Sequence, residues 1–88
     1  LNKKKAVAIN KKTLAIAEES TGKRLILYVW VAINRYLFEG QEKPSLRQLA
    51  DDCGTSSDRV REAVSWLEEK GYLTVDVDER GIRTYAVT

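Results

Sequence analysis

The stretch Ser45–Leu73, SLRQLADDCGTSSDRVREAVSWLEEKGYL, governs how the rest of the chain is read. It reads as two helices joined by a tight turn, the second long, amphipathic and closed by a glycine. Ser45 is placed to cap the first helix. Its hydroxyl accepts from an otherwise free amide of the first turn, while Gln48, three residues on, reaches back to the Ser45 amide. Pro44 keeps the residue before it extended. The turn falls at Cys53-Gly54-Thr55, where Gly54 takes the positive φ that ends a helix without a Cβ clash. Ser56 or Ser57 starts the second helix, and Asp58 sets a negative charge in its first turn, where the helix dipole favours one. The expected spans are Ser45–Asp52 and Ser57–Lys70.

Inward positions in this pair are Leu49 and Ala50 in the first helix and Val60 and Ala63 in the second, with Gly54 four residues after Ala50. A small side chain at Ala50 lets the two helices cross closely. The run EEKGYL, Glu68–Leu73, leads out of the second helix into an alternating segment. On these features residues 25–88 resemble the winged helix-turn-helix family of DNA-binding domains, which includes transcription regulators and plasmid or phage replication and partition proteins. The resemblance implies an α+β, mainly α fold: a three-helix core followed by a C-terminal β-hairpin, the wing. It also implies that the second helix of the pair reads the nucleic acid, although winged helices serve as protein-docking modules too.

Working outward, Leu73, Val75 and Val77 alternate with Thr74, Asp76 and Asp78, and Asp78-Glu79-Arg80-Gly81 reads as a turn. Arg83, Tyr85 and Val87 then alternate again, which completes a hairpin. Upstream, Thr21 is placed to cap a helix from about Gly22 to Phe38, with Gly40 as its stop. Ile26, Val29, Trp30, Ile33 and Leu37 share the face that packs on the helix pair, but Leu25, Leu27, Tyr28, Val31 and Tyr36 lie elsewhere around the cylinder. A helix apolar on several sides is normally covered on several sides. The amino-terminal segment or a second chain is the expected cover, and a homodimer the expected assembly. The run LILYVWVAI, residues 25–33, would also suit a buried strand. Helical spacing continued through Tyr36 and Leu37, together with the family resemblance, favours the helix.

Residues 1–24 form a basic amino-terminal extension set apart from the domain at 25–88. Up to Arg24 there are seven basic residues against two acidic; from Leu25 onward there are eight against eleven. The overall net charge of +2 therefore hides a basic extension on an acidic body. Lys5–Ile9 (KAVAI) alternates weakly, as a short strand would, and Lys11–Ser20 (KKTLAIAEES) consists of good helix formers with Leu14 and Ala17 on one side. Three readings stay open: a solvated arm, a basic arm that follows DNA phosphates through Lys3, Lys4 and Lys5, and a helix or segment that packs on a partner subunit.

Eighty-eight residues hold one domain and one core. A single cysteine forbids an intrachain disulfide, the absence of histidine argues against a zinc site, and Cys53 reads as core. The longest apolar run, Leu25–Ile33, is far shorter than the ~20 residues of a membrane span, so a cytoplasmic protein without membrane contact is expected. A chain that starts at Leu1 and contains no methionine points to an excised domain, a processed chain or an incomplete one. No enzyme constellation emerges. There is no histidine base and no phosphate-cradling loop, Gly22-Lys23 lacks the rest of a nucleotide motif, and the adjacent Glu68 and Glu69 point in different directions on a helix. No catalytic residue, metal or cofactor is expected.

On the second helix Val60, Ala63, Val64 and Leu67 cluster on one side. The opposite side carries Asp58, Glu62, Ser65 and Glu69, edged by Ser57 and Arg61 on one flank and by Arg59 and Trp66 on the other. In a major groove Arg61 suits bidentate contact with guanine, Ser57 and Ser65 reach bases or phosphates, Glu62 accepts from cytosine, and Arg59 lies over the same groove. Arg47, at the start of the first helix, suits a backbone contact. Arg80 and Arg83, near the hairpin tip, suit phosphates or the minor groove, and Trp66 is expected to pack under the wing, with anchoring of a partner as its alternative. Each of these charges also has an ordinary role on a solvated face. The carboxylates depart from the basic recognition helices of strongly binding family members, and they punish poor docking near phosphates. The expected function is sequence-selective binding of double-stranded DNA; the alternative is a protein-protein interaction module with little DNA affinity.

Overall fold

Local signals settle the second half of the chain. Ser45 Oγ accepts from the Gln48 N–H at 3.0 Å and Gln48 Oε1 accepts from the Ser45 N–H at 2.9 Å, a complete capping box. The helix it opens, which ends at Gly54 with φ +65°, hands over to a second helix capped by Ser56, whose hydroxyl accepts from the Arg59 N–H at 3.3 Å. A Cβ on Gly54 would meet nothing within 4 Å, so it is the left-handed backbone and not crowding that calls for glycine there.

The structure, a computed structural model, describes residues 11–20 and 23–88. The readings placed on Lys3, Lys4, Lys5, the Lys5–Ile9 strand, Thr21 and Gly22 lie outside the described residues. In chain order the elements are α1 (Lys11–Glu19), α2 (Arg24–Phe38), α3 (Leu46–Cys53), α4 (Ser57–Glu69), β1 (Leu73–Val77) and β2 (Arg83–Val87). The described residues thus make an α+β fold, mainly helical, with four helices and a C-terminal two-stranded antiparallel hairpin.

The hairpin pairs Leu73 with Val87 and Val77 with Arg83. At its turn the Asp78 carboxylate accepts from the Arg80 and Ile82 amides at 2.8 and 2.9 Å. Alternation survives, but only its base is buried: Leu73 and Tyr85 enter the core, whereas Val77 is exposed. Toward the turn Ile82 is exposed as well and borders the segment from Lys43 to Leu46. One main-chain bond anchors the ribbon, from the Tyr85 N–H to the Glu42 carbonyl at 2.9 Å, while the bond from the Thr88 N–H to the Tyr72 carbonyl at 3.3 Å continues the hairpin's own register.

One apolar cluster joins Val29, Trp30 and Ile33 of α2 to Leu49 and Ala50 of α3, Val60, Val64 and Leu67 of α4, and Leu73 and Tyr85 of the hairpin. Ile16 of α1 belongs to it and is fully buried. For residues 11–20 this corrects the solvated-arm reading, and the expected three-helix core gains a fourth helix. The face of α1 is corrected too. Thr13, Ile16 and Ser20 turn inward, while Leu14 is 59% exposed and Ala17 faces solvent. The cause lies in Trp30, whose fully buried indole N–H donates to Thr13 Oγ1 at 2.9 Å. A buried donor left without an acceptor costs about 1–3 kcal/mol, and the same face buries Ile16 completely.

Helix α2 starts at Arg24, with Lys23 (φ −109°, ψ 71°) outside the helical backbone and its N–H held by the Ser20 carbonyl at 2.7 Å. The Tyr72 hydroxyl donates to the Glu19 carboxylate, which ties the end of α1 to the segment entering β1.

Two stability predictions follow from these buried polar groups. Thr13→Val is expected to lower unfolding free energy by about 1–2 kcal/mol, while Thr13→Ser keeps the acceptor and most of the stability; urea midpoints at constant m value check both. Tyr85 has the opposite character, since its hydroxyl is buried and has no partner among the described residues. Burial pushes that hydroxyl above its ordinary 10, with Arg83 pulling weakly the other way. The neutral phenol is the form the fold favours, so its contribution is full below pH 10 and is lost as pH rises through the higher native value. Tyr85→Phe is expected to match or exceed the parent at pH 7 and to lose less stability at alkaline pH, as read by thermal melts from pH 7 to 11.

Candidate nucleic-acid interface

The inward side of α4 is consumed by the core, so its outer side is what the fold presents. Asp58, Arg59, Arg61, Glu62, Ser65, Glu68 and Glu69 are exposed and Ser57 is half-buried. Arg61 pairs with Asp58 one turn back at 3.1 Å, their side chains 55% and 85% exposed. Exposed pairs of this kind contribute about 0.2–1 kcal/mol, so a better partner displaces Asp58 readily.

Each edge of this face borders a different neighbour. On one edge Arg61, Ser65 and Glu68 share a notch of about 140 Å³ with Leu46 of α3 and with Val75, Val77 and Arg83 of the hairpin. On the other edge Arg59, Glu62 and Trp66 border a groove of about 510 Å³, closed on its far side by Lys23, Arg24 and Leu25 at the start of α2. Among the described residues no ion pair engages Lys23, Arg24, Arg59 or Arg83.

The fold therefore brings Arg61, Ser65 and Arg83 together, and places Arg59 with Glu62 on the opposite edge. Arg47, exposed on the first turn of α3, and Arg80, exposed in the hairpin turn, border neither depression. Lys23 and Arg24 were visible in the sequence only as part of a charge surplus; a basic pair immediately before an apolar helix was the signal available for them.

Trp66 corrects an expectation. Instead of lying under the hairpin it stacks on Tyr72, ring centroids 6.4 Å apart and planes 14° apart, with Lys70 Nζ 5.7 Å from its centroid. Leu46, Val64 and Val75 line the notch beside the strands, while Trp66 borders the groove at the start of α2.

The outer stripe of α2 stays open. Tyr28 and Phe38 are 52% and 47% exposed, and Leu27, Tyr28, Val31, Arg35 and Cys53 border an apolar groove of about 520 Å³. Beside it the Tyr36 hydroxyl donates to Asp52 Oδ2 at 2.7 Å, which raises the Tyr36 pKa and pins the end of α3 to α2. Cys53 packs half-buried against the core, as expected from its place in the turn. No helix among the described residues is long and apolar enough to cross a membrane. Compared with known proteins, the chain matches no family model and no curated relative.

Burial first, and the Asp52 charge second, push the Cys53 thiol above its ordinary range, so it carries little thiolate at neutral pH. Labelling by a disulfide reagent at pH 8 is expected to be several-fold slower in the native protein than in 6 M guanidinium, which absorbance stopped-flow would measure.

Proposed function

We propose that the chain is a winged helix-turn-helix domain that binds double-stranded DNA with sequence selectivity, α4 lying in the major groove and the hairpin acting as the wing. The observation that carries this reading is the outer face of α4. It is free of packing, rich in hydrogen-bonding side chains, and meets a hairpin that brings Arg83 to the notch holding Arg61 and Ser65.

The energetics favour base contact by Arg61. Bidentate bonding to guanine O6 and N7 discriminates by about 1–3 kcal/mol, against about 0.2–1 kcal/mol for the exposed pair with Asp58 that it gives up. Ser57, at the start of α4, and Ser65 reach bases or phosphates, Glu62 accepts from cytosine, and Arg59 serves the far edge. Arg47, Arg80 and Arg83 hold the backbone, with Lys3, Lys4 and Lys5 extending that contact. Helix α4 carries Asp58, Glu62, Glu68 and Glu69 against Arg59 and Arg61, so its own charge repels phosphate. Selectivity, not bulk attraction, is what such a face supplies. A homodimer paired through the open stripe of α2 would read two half-sites, as a transcription regulator or a replication or partition protein does.

A second reading, docking of a protein partner, is favoured by the exposed Tyr28 at the apolar groove and by the exposed Phe38 at the end of the same helix.

Salt titration of duplex binding separates the two. After selection of a preferred duplex, log affinity is expected to fall against log salt with a slope near −0.9 per phosphate neutralised. Arg61→Ala is expected to lose discrimination at one base pair, and Lys3, Lys4 and Lys5 replaced together by alanine to weaken all duplexes alike. Glu62→Gln is expected to tighten all duplexes and relax selectivity. Duplex binding that is absent, or indifferent to salt and to these changes in folded protein, would hand the domain to the docking reading.

A further inference from the structure

Of the groove between the start of α2 and α4, only the α4 wall, Arg59 and Glu62, has a role in the contacts assigned so far; Lys23 and Arg24 opposite have none. We propose that this groove seats the sugar-phosphate backbone on the side of the major groove away from the hairpin, with Lys23, Arg24 and Arg59 as its phosphate contacts. This rests on the DNA reading above.

A helix lying in a groove roughly 12 Å wide has a phosphate backbone on each side. The hairpin edge of α4 meets one backbone through Arg83. The opposite edge is where the α2 groove opens, and there the chain places three cations on two different elements: Lys23 and Arg24 before and at the first turn of α2, Arg59 on α4. All three are exposed and none is ion-paired among the described residues, so their charge is free for an external anion. Among the described residues Glu62 is the single carboxylate lining the groove, which leaves their net charge there at two positive.

An opening of about 510 Å³ is roomy enough for a phosphate with its flanking sugar, while Leu25 and Trp66 give the sugar an apolar wall. Lys70 is engaged over Trp66 and stays outside the contact set. Acting alone, the acidic face of α4 would be pushed off the duplex; cations on both flanks hold it there. Affinity then comes from the flanks and discrimination from the centre.

The test is a salt titration of the full chain with the selected duplex and with a random duplex. Lys23→Ala combined with Arg24→Ala is expected to flatten the log–log slope by about 1.8, two contacts' worth, and to weaken both duplexes by the same factor. The charge-preserving exchange Lys23→Arg with Arg24→Lys is expected to keep the slope, and unchanged thermal midpoints establish that each variant is folded. A parental slope in the alanine variant, while Arg61→Ala still loses discrimination, would overturn this inference and leave the DNA reading standing. If the parent chain binds no duplex, both fall together.

Discussion

A single hydrogen bond between two side chains seventeen residues apart organises the amino-terminal half: the indole N–H of Trp30 donating to the hydroxyl of Thr13. Trp30 is the largest fully buried side chain and sits at the middle of α2, where α1 and Tyr72 also converge. A tryptophan so placed is favourable only if its donor is satisfied, because the interior offers no water to take over. Thr13 meets that demand, and in doing so selects which face of α1 turns inward. Ile16 and Ser20 follow on the same side, Ser20 bonding back to the Ile16 carbonyl to close the helix end. Lys23 and Arg24, at the start of α2, lie at the edge of α4.

That arrangement leaves α4 between two dissimilar supports. The hairpin presses on one flank through Val75 and Arg83, and the beginning of α2 closes the other with two positive charges. The outer face between them carries more carboxylates than guanidinium groups. On the proposed DNA reading, attraction would fall to the shoulders and discrimination to the central helix. A basic helix would bind more tightly and choose less well.

What the sequence made legible was local. The Ser45–Gln48 box, the left-handed Gly54, the Ser56 cap and the hairpin register are each dictated by residues within a few positions of one another, and each appears where its chemistry requires. The docking of α1 was not legible, since KKTLAIAEES offers more than one weakly apolar face and the choice was made by a tryptophan far along the chain. The same holds for Trp66. A helical wheel places it at the rim of the buried face but says nothing of which neighbour lies beyond the rim, and Tyr72 was there instead of the strands. Around the candidate interface, the outward side of α4 followed from periodicity, whereas the meeting of Arg59 with Lys23 and Arg24 depends on how two helices cross, which no spacing in the sequence encodes.

The bond from the Tyr85 amide to the Glu42 carbonyl has a mechanical meaning. Tyr85 is fixed by its buried ring, and Glu42 lies on the short strap that runs into the Ser45 cap. The ribbon and the first turn of α3 are in this way harnessed to one another, so a tilt of the ribbon would tug the strap and turn α3 with it. Arg83 and Arg47 thus sit on two elements that this bond joins through the strap.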